Sequence, residues 1–107
     1  MDFNAIRKDI KALNFDTLRT DCDNFFEGVI IKDELEKLNA QLTNFLGLPV
    51  FPSKNRLPHK AQETIDGFGG VTSGQTLYYK DLGNDAIYCL LWPWLDGVRT
   101  TVKIIQK

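Results

Sequence analysis

Histidine occurs once in this 107-residue chain, methionine once and cysteine twice. That scarcity limits the chemistry before any fold is considered. A structural zinc site takes four nitrogen or sulfur ligands, and His59, Cys22 and Cys89, widely separated and with no CxxC spacing, cannot supply them without carboxylate help. No metal site and no cofactor is expected. Two cysteines are also too few for a disulfide framework, so both thiols are expected to be reduced. A membrane span needs about 20 apolar residues in a row, and the longest run here, Ile87–Leu95, is interrupted by Pro93. The segment Met1-Asp2-Phe3-Asn4 lacks the basic and apolar regions of a secretory signal. The expectation is a cytoplasmic protein without membrane contact. Charge of one sign is missing too: a net charge of −1 and a pI near 5.7 give no basic field to draw in a phosphate backbone, so nucleic acid is not an expected partner.

What is present is an ordinary globular composition, 43% hydrophobic and 25% charged, far from the polar, highly charged range in which chains stay disordered. The length suits a single domain, 1–107, with a helical part over 1–68 and a β-meander over 76–107. Phe3, Ile6, Ile10 and Leu13 recur at helical spacing behind Asp2 as a cap. Asp16 is expected to cap a second helix that carries Leu18, Cys22 and Phe25 or Phe26 inward and stops at Gly28. A third helix follows Asp33 as cap, with Glu36 as its capping-box partner and Leu35, Leu38, Leu42, Phe45 and Leu46 on one stripe, ended by Gly47 and Pro49. Residues 48–57 read as an extended connector. Pro58 opens a fourth helix, His59–Asp66, with Ala61, Ile65 and Phe68 inward.

Three strand-like runs follow, broken at Gly83-Asn84-Asp85 and Asp96-Gly97. The middle one, Ala86–Trp94, has no polar side chain except the hydroxyl of Tyr88, so both of its faces need cover. Its orientation turns on the last hairpin. A two-residue Asp96-Gly97 loop puts Ile87, Cys89 and Leu91 on the core face with Tyr88, Trp92 and Trp94 outside; a three-residue loop with a bulge at Gly97 reverses this. The bulged register is preferred, because in the other Pro93 faces Thr100 at a hydrogen-bonded position it cannot fill. It groups Tyr78, Lys80, Ile87, Leu91, Arg99, Thr101 and Lys103 on one outer face.

The motifs that suggest chemistry have plainer readings. Asp23, Glu27, Gly28, Ile30 and Glu34 occupy calcium-loop positions, but Phe25 stands where an oxygen ligand belongs, so a helix–turn–helix corner is the better reading. The glycine-rich run Gly67–Gly74 leads from helix to strand and carries no lysine, the reverse of a phosphate-binding loop. Cys89 has no electropositive neighbour in sequence to lower its pKa, and the carboxylates of Asp21 and Asp23 flank Cys22. No catalytic residue stands out. The expectation is therefore an α+β fold, four short N-terminal helices packed on a C-terminal three-stranded antiparallel meander. The expected function is non-enzymatic binding of a protein partner, or homodimer formation, through the outer sheet face. Small-ligand or single-stranded nucleic-acid binding on that same face is the alternative.

Overall fold

The computed structural model describes residues 3–22, 24–51, 59–67 and 74–107. Its elements run α1 (Phe3–Lys11), β1 (Phe15–Asp21), β2 (Phe25–Ile31), α2 (Lys32–Leu46), α3 (His59–Gly67), β3 (Thr76–Asp81), β4 (Ala86–Pro93) and β5 (Arg99–Gln106). The five strands form one antiparallel sheet in the order β1-β2-β5-β4-β3.

This corrects the expected four helices on three strands. The segment read as a second helix is the β1–β2 hairpin, and the meander is the distal part of a larger sheet. Phe25, Phe26, Val29 and Ile30 satisfy a helical spacing, yet they are aromatic or β-branched apart from their glycine and suit a strand better. The deciding partner is remote. β5 bonds to β4 along one edge and would leave the other open; β2 fills it without a break, from Phe25 opposite Ile105 to Ile31 opposite Arg99. Gly28 is therefore no helix stop. A Cβ there would lie 2.8 Å from Cδ2 of Phe15, so the missing side chain lets that ring lie over the strand and meet Phe26 edge-on, 5.5 Å between centroids.

The expected cap at Asp33 also fails, since α2 starts one residue earlier and no side chain caps it. β2 runs straight into the helix, with the Lys32 amide donating to the Val98 carbonyl at 2.8 Å, while Asp33 and Glu34 lie in the first turn where the helix dipole favours acids. The far end stops at Gly47, as its sequence suggests, with a φ of 84°. Asp2, Pro52–Pro58 and Phe68–Ser73, which carry the first cap, part of the connector and most of the glycine-rich run, lie outside the described residues.

Helices cover the sheet from both sides. Phe3, Ile6 and Ile10 of α1 and Leu38, Leu42 and Leu46 of α2 pack on Phe26, Ile30, Ile87, Cys89, Leu91, Val102 and Ile104. On the opposite, outer face, Ala61 and Ile65 of α3 pack on Leu77, Tyr88, Leu90 and Ile105. The apolar middle strand thus finds both of its covers within the chain.

The β4–β5 hairpin corrects the preferred register. Cys89 faces Ile104 and Leu91 faces Val102, the parity of the two-residue alternative, but the loop has four residues, Leu95–Val98. Its closing bond runs from the Trp94 amide to the Arg99 carbonyl at 2.8 Å. Pro93 and Thr100 therefore form a non-hydrogen-bonded pair, where a proline lacks nothing. Gly97, with φ 70°, completes the turn by donating to the Trp94 carbonyl.

Candidate functional site

The face expected to bind is divided between the two sides of the sheet. Tyr78, Ile87 and Leu91 are buried beneath α1 and α2, with the Tyr78 hydroxyl donating to Oδ1 of Asn39 at 3.3 Å; burial pushes its phenol pKa up. Lys80, opposite Ile87, extends to the Phe45 carbonyl at the end of α2, 3.4 Å away. Arg99, Thr101 and Lys103 occupy the outer face. The split follows from the register: β4 changes face relative to β5 when its parity changes, because successive side chains alternate. A self-association row built on Ile87 and Leu91 is ruled out by the same burial.

The outer face supplies a different neighbourhood for Thr101 and Lys103. Beyond the edge of α3, Trp92 and Trp94 project from the end of β4, and the last loop carries Leu95. Trp92 is 53% exposed, Trp94 37%, and Leu95 has no cover at all. With Arg19, Thr101 and Lys103 these residues line an open groove of about 730 Å³. The two tryptophans play different parts. The Trp94 indole donates to Oγ1 of Thr101 at 2.8 Å and has the guanidinium groups of Arg19 and Arg99 5.8 and 5.5 Å from its ring centre, so it lies fixed as a floor. The Trp92 ring has the Lys103 ammonium 5.8 Å from its centre, and its own indole N–H has no partner among the described residues.

Charge around the groove is almost balanced. Arg19 pairs with Glu27 at 3.1 Å, and Arg99 pairs with Asp16 at 3.3 Å and Asp96 at 2.8 Å. Asp96 is itself saturated: the amides of Arg99 and Val98 donate to it, and with the Arg99 guanidinium they hold its carboxyl below the usual carboxylate range. Lys103 is the groove cation with no carboxylate partner among the described residues.

Sequence reasoning missed Trp92 and Trp94 as surface residues because the preferred register turned them inward; the alternative register already placed them outside. Arg19 and Glu27 were missed because a helix was expected where β1 and β2 run. Two tryptophans two residues apart beside an Asp-Gly turn were the available signal.

The cysteines behave as a contrasting pair. Cys89 is buried between strands and burial drives its thiol pKa well above the ordinary value, whereas Cys22 is exposed where β1 ends, not on an inward helix face as expected. One thiol per chain is therefore expected to react promptly with a maleimide at pH 7, and peptide mapping should place the label on Cys22. Cys89 is expected to label only after denaturant is added. Prompt native labelling of Cys89 contradicts this packing.

No helix of the described residues is long and apolar enough to cross a membrane. No family model matches the chain, and neither the curated proteins nor the solved structures contain a match to it.

Proposed function

We propose that this protein is a non-enzymatic binding module that recognises another protein through the Trp92–Trp94 groove. The observation that carries this reading is the pairing of exposed aromatic area with a neutralised rim. Trp92, Trp94 and Leu95 offer an apolar centre, and Arg19, Arg99, Glu27, Asp16 and Asp96 surround it with ion pairs. Tryptophan and arginine are the residues most enriched in the energetic centres of protein interfaces, where polar groups form the rim.

The same balance weighs against a single nucleic-acid strand. Stacking platforms for bases combine aromatic rings with a positively charged track along the backbone, and every nucleotide brings another negative charge. Here two of the three groove cations, Arg19 and Arg99, are held by the three carboxylates Glu27, Asp16 and Asp96, which leaves no such track.

Two tryptophans per chain make the test direct, because each gives one resolvable indole N–H signal in a nitrogen-15 NMR spectrum. Labelled protein is to be mixed with extract of its own cells, one half treated with nuclease and the other with protease. Broadening of the Trp92 signal in the nuclease-treated half alone, abolished in Trp92→Ala, is the expected result. Broadening only in the protease-treated half, or in neither, overturns the reading.

A further inference from the structure

We infer that the groove takes an extended, acidic peptide segment, one that places an apolar side chain against Trp92 and Trp94 and a carboxylate on Lys103. The inference rests on the protein-binding reading above and names the chemistry of the partner. Three features of the groove carry it.

The first is the unpaired charge. Every carboxylate at the groove margin is already held, Glu27 by Arg19 and both Asp16 and Asp96 by Arg99, while Lys103, opposite Glu27 across the β2–β5 ladder, forms no ion pair among the described residues. A second copy of this chain would bring the same committed carboxylates and one more unpaired lysine. Docked groove to groove, it offers Lys103 nothing without breaking an existing pair. A foreign carboxylate does, and at a partly desolvated aromatic wall it fixes register and orientation as well as adding attraction.

The second is the size of the apolar centre. Large aromatic side chains carry roughly 150–250 Å² each, so two partly exposed tryptophans with the uncovered Leu95 present on the order of 400 Å². A stable dimer of standard size uses about 800 Å² from each partner. The groove matches the smaller footprint of a peptide.

The third is spacing and donors. The Lys103 ammonium lies 5.8 Å from the centre of the Trp92 ring. In an extended strand, side chains two residues apart point the same way and are separated by about 6.6 Å. One side chain can then cover Trp92 while the carboxylate two residues on reaches Lys103. The indole N–H of Trp92, which unlike that of Trp94 has no partner among the described residues, can donate to a carbonyl of the peptide backbone.

The test uses an end-blocked serine–glycine octapeptide with one leucine and, two residues further on, one aspartate. Companion peptides carry asparagine or lysine in place of the aspartate, and an eight-nucleotide oligothymidylate serves as the competing class. Titration into labelled protein is expected to move the Trp92 indole signal with the aspartate peptide. Binding should be several-fold weaker with asparagine and weaker still with lysine. Lys103→Gln should remove the preference for aspartate over asparagine while leaving the Trp92 response. Equal binding of the three peptides, or binding of none, overturns the acidic-segment inference and leaves the protein-binding reading to the extract experiment. Indole signals that change on simple dilution identify a second copy as the occupant and overturn the inference in favour of self-association. Tighter binding of the oligonucleotide than of any peptide overturns both.

Discussion

Leu91→Lys is expected to abolish the cooperative fold. Leu91 is 4% exposed, faces Val102 across the β4–β5 ladder and belongs to the cluster under α1 and α2. A lysine at this position must leave its ammonium in the apolar cluster beside Cys89 and Val102, neither of which offers a charge partner, and an unpaired buried charge costs several kcal/mol. A domain of this length has only about 5–15 kcal/mol of total stability. Near-ultraviolet circular dichroism and amide dispersion are expected to collapse at room temperature. A folded variant with the parental unfolding midpoint would mean that Leu91 faces solvent and that the inner and outer sides of the sheet are assigned the wrong way round. Leu91→Met, which keeps the volume, should cost under about 1.5 kcal/mol and shows that the position tolerates change when polarity is preserved.

The second large effect contrasts Phe26→Ala with Leu18→Ala. Phe26 is fully buried, stacked edge-on against Phe15 and paired with Ile104 through the β2–β5 ladder. Removing such a ring typically costs about 3–5 kcal/mol. For a domain near this size that corresponds to a fall in Tm of at least ~12 °C. Leu18 is 51% exposed on the edge strand and its truncation should stay within about 0.5 kcal/mol. Had 16–28 been a helix, Leu18 would face inward with the phenylalanines and both truncations would be costly. Thermal melts of the two variants distinguish the hairpin from the helix, and comparable losses at both positions would refute the hairpin.

The helices α1, α2 and α3 were legible because their apolar residues recur on one face within a few turns, a pattern that does not depend on what lies opposite. The three distal strands were legible for a similar reason, since the Asp-Gly and Gly-Asn turns sit between β-rich runs. β1 and β2 were not. Leu18, Phe25 and Phe26 fit a helical stripe as well as a strand, and what chooses between them is the open edge of β5, 78 residues away in sequence by the pairing of Phe26 with Ile104. Trp92 and Trp94 were visible as residues but not as a site. Whether they point to core or to solvent depends on one loop, and the position of Pro93 was compatible with two registers until the Trp94–Arg99 bond set the phase of the ladder.

By itself, then, the amino-acid order determined the local elements with their own periodicity, the shortage of metal-binding and nucleophilic side chains, and an aromatic pair beside a tight turn. The tertiary structure alone decided that fifteen to thirty-one is a hairpin, that both faces of β4 are covered by helices of the same chain, and that Trp92, Trp94, Arg19 and Lys103 share an open groove. The physical reason is that helical hydrogen bonds close within four residues, whereas a strand has no internal hydrogen bonds and takes its identity and its facing from whichever neighbour completes its ladder.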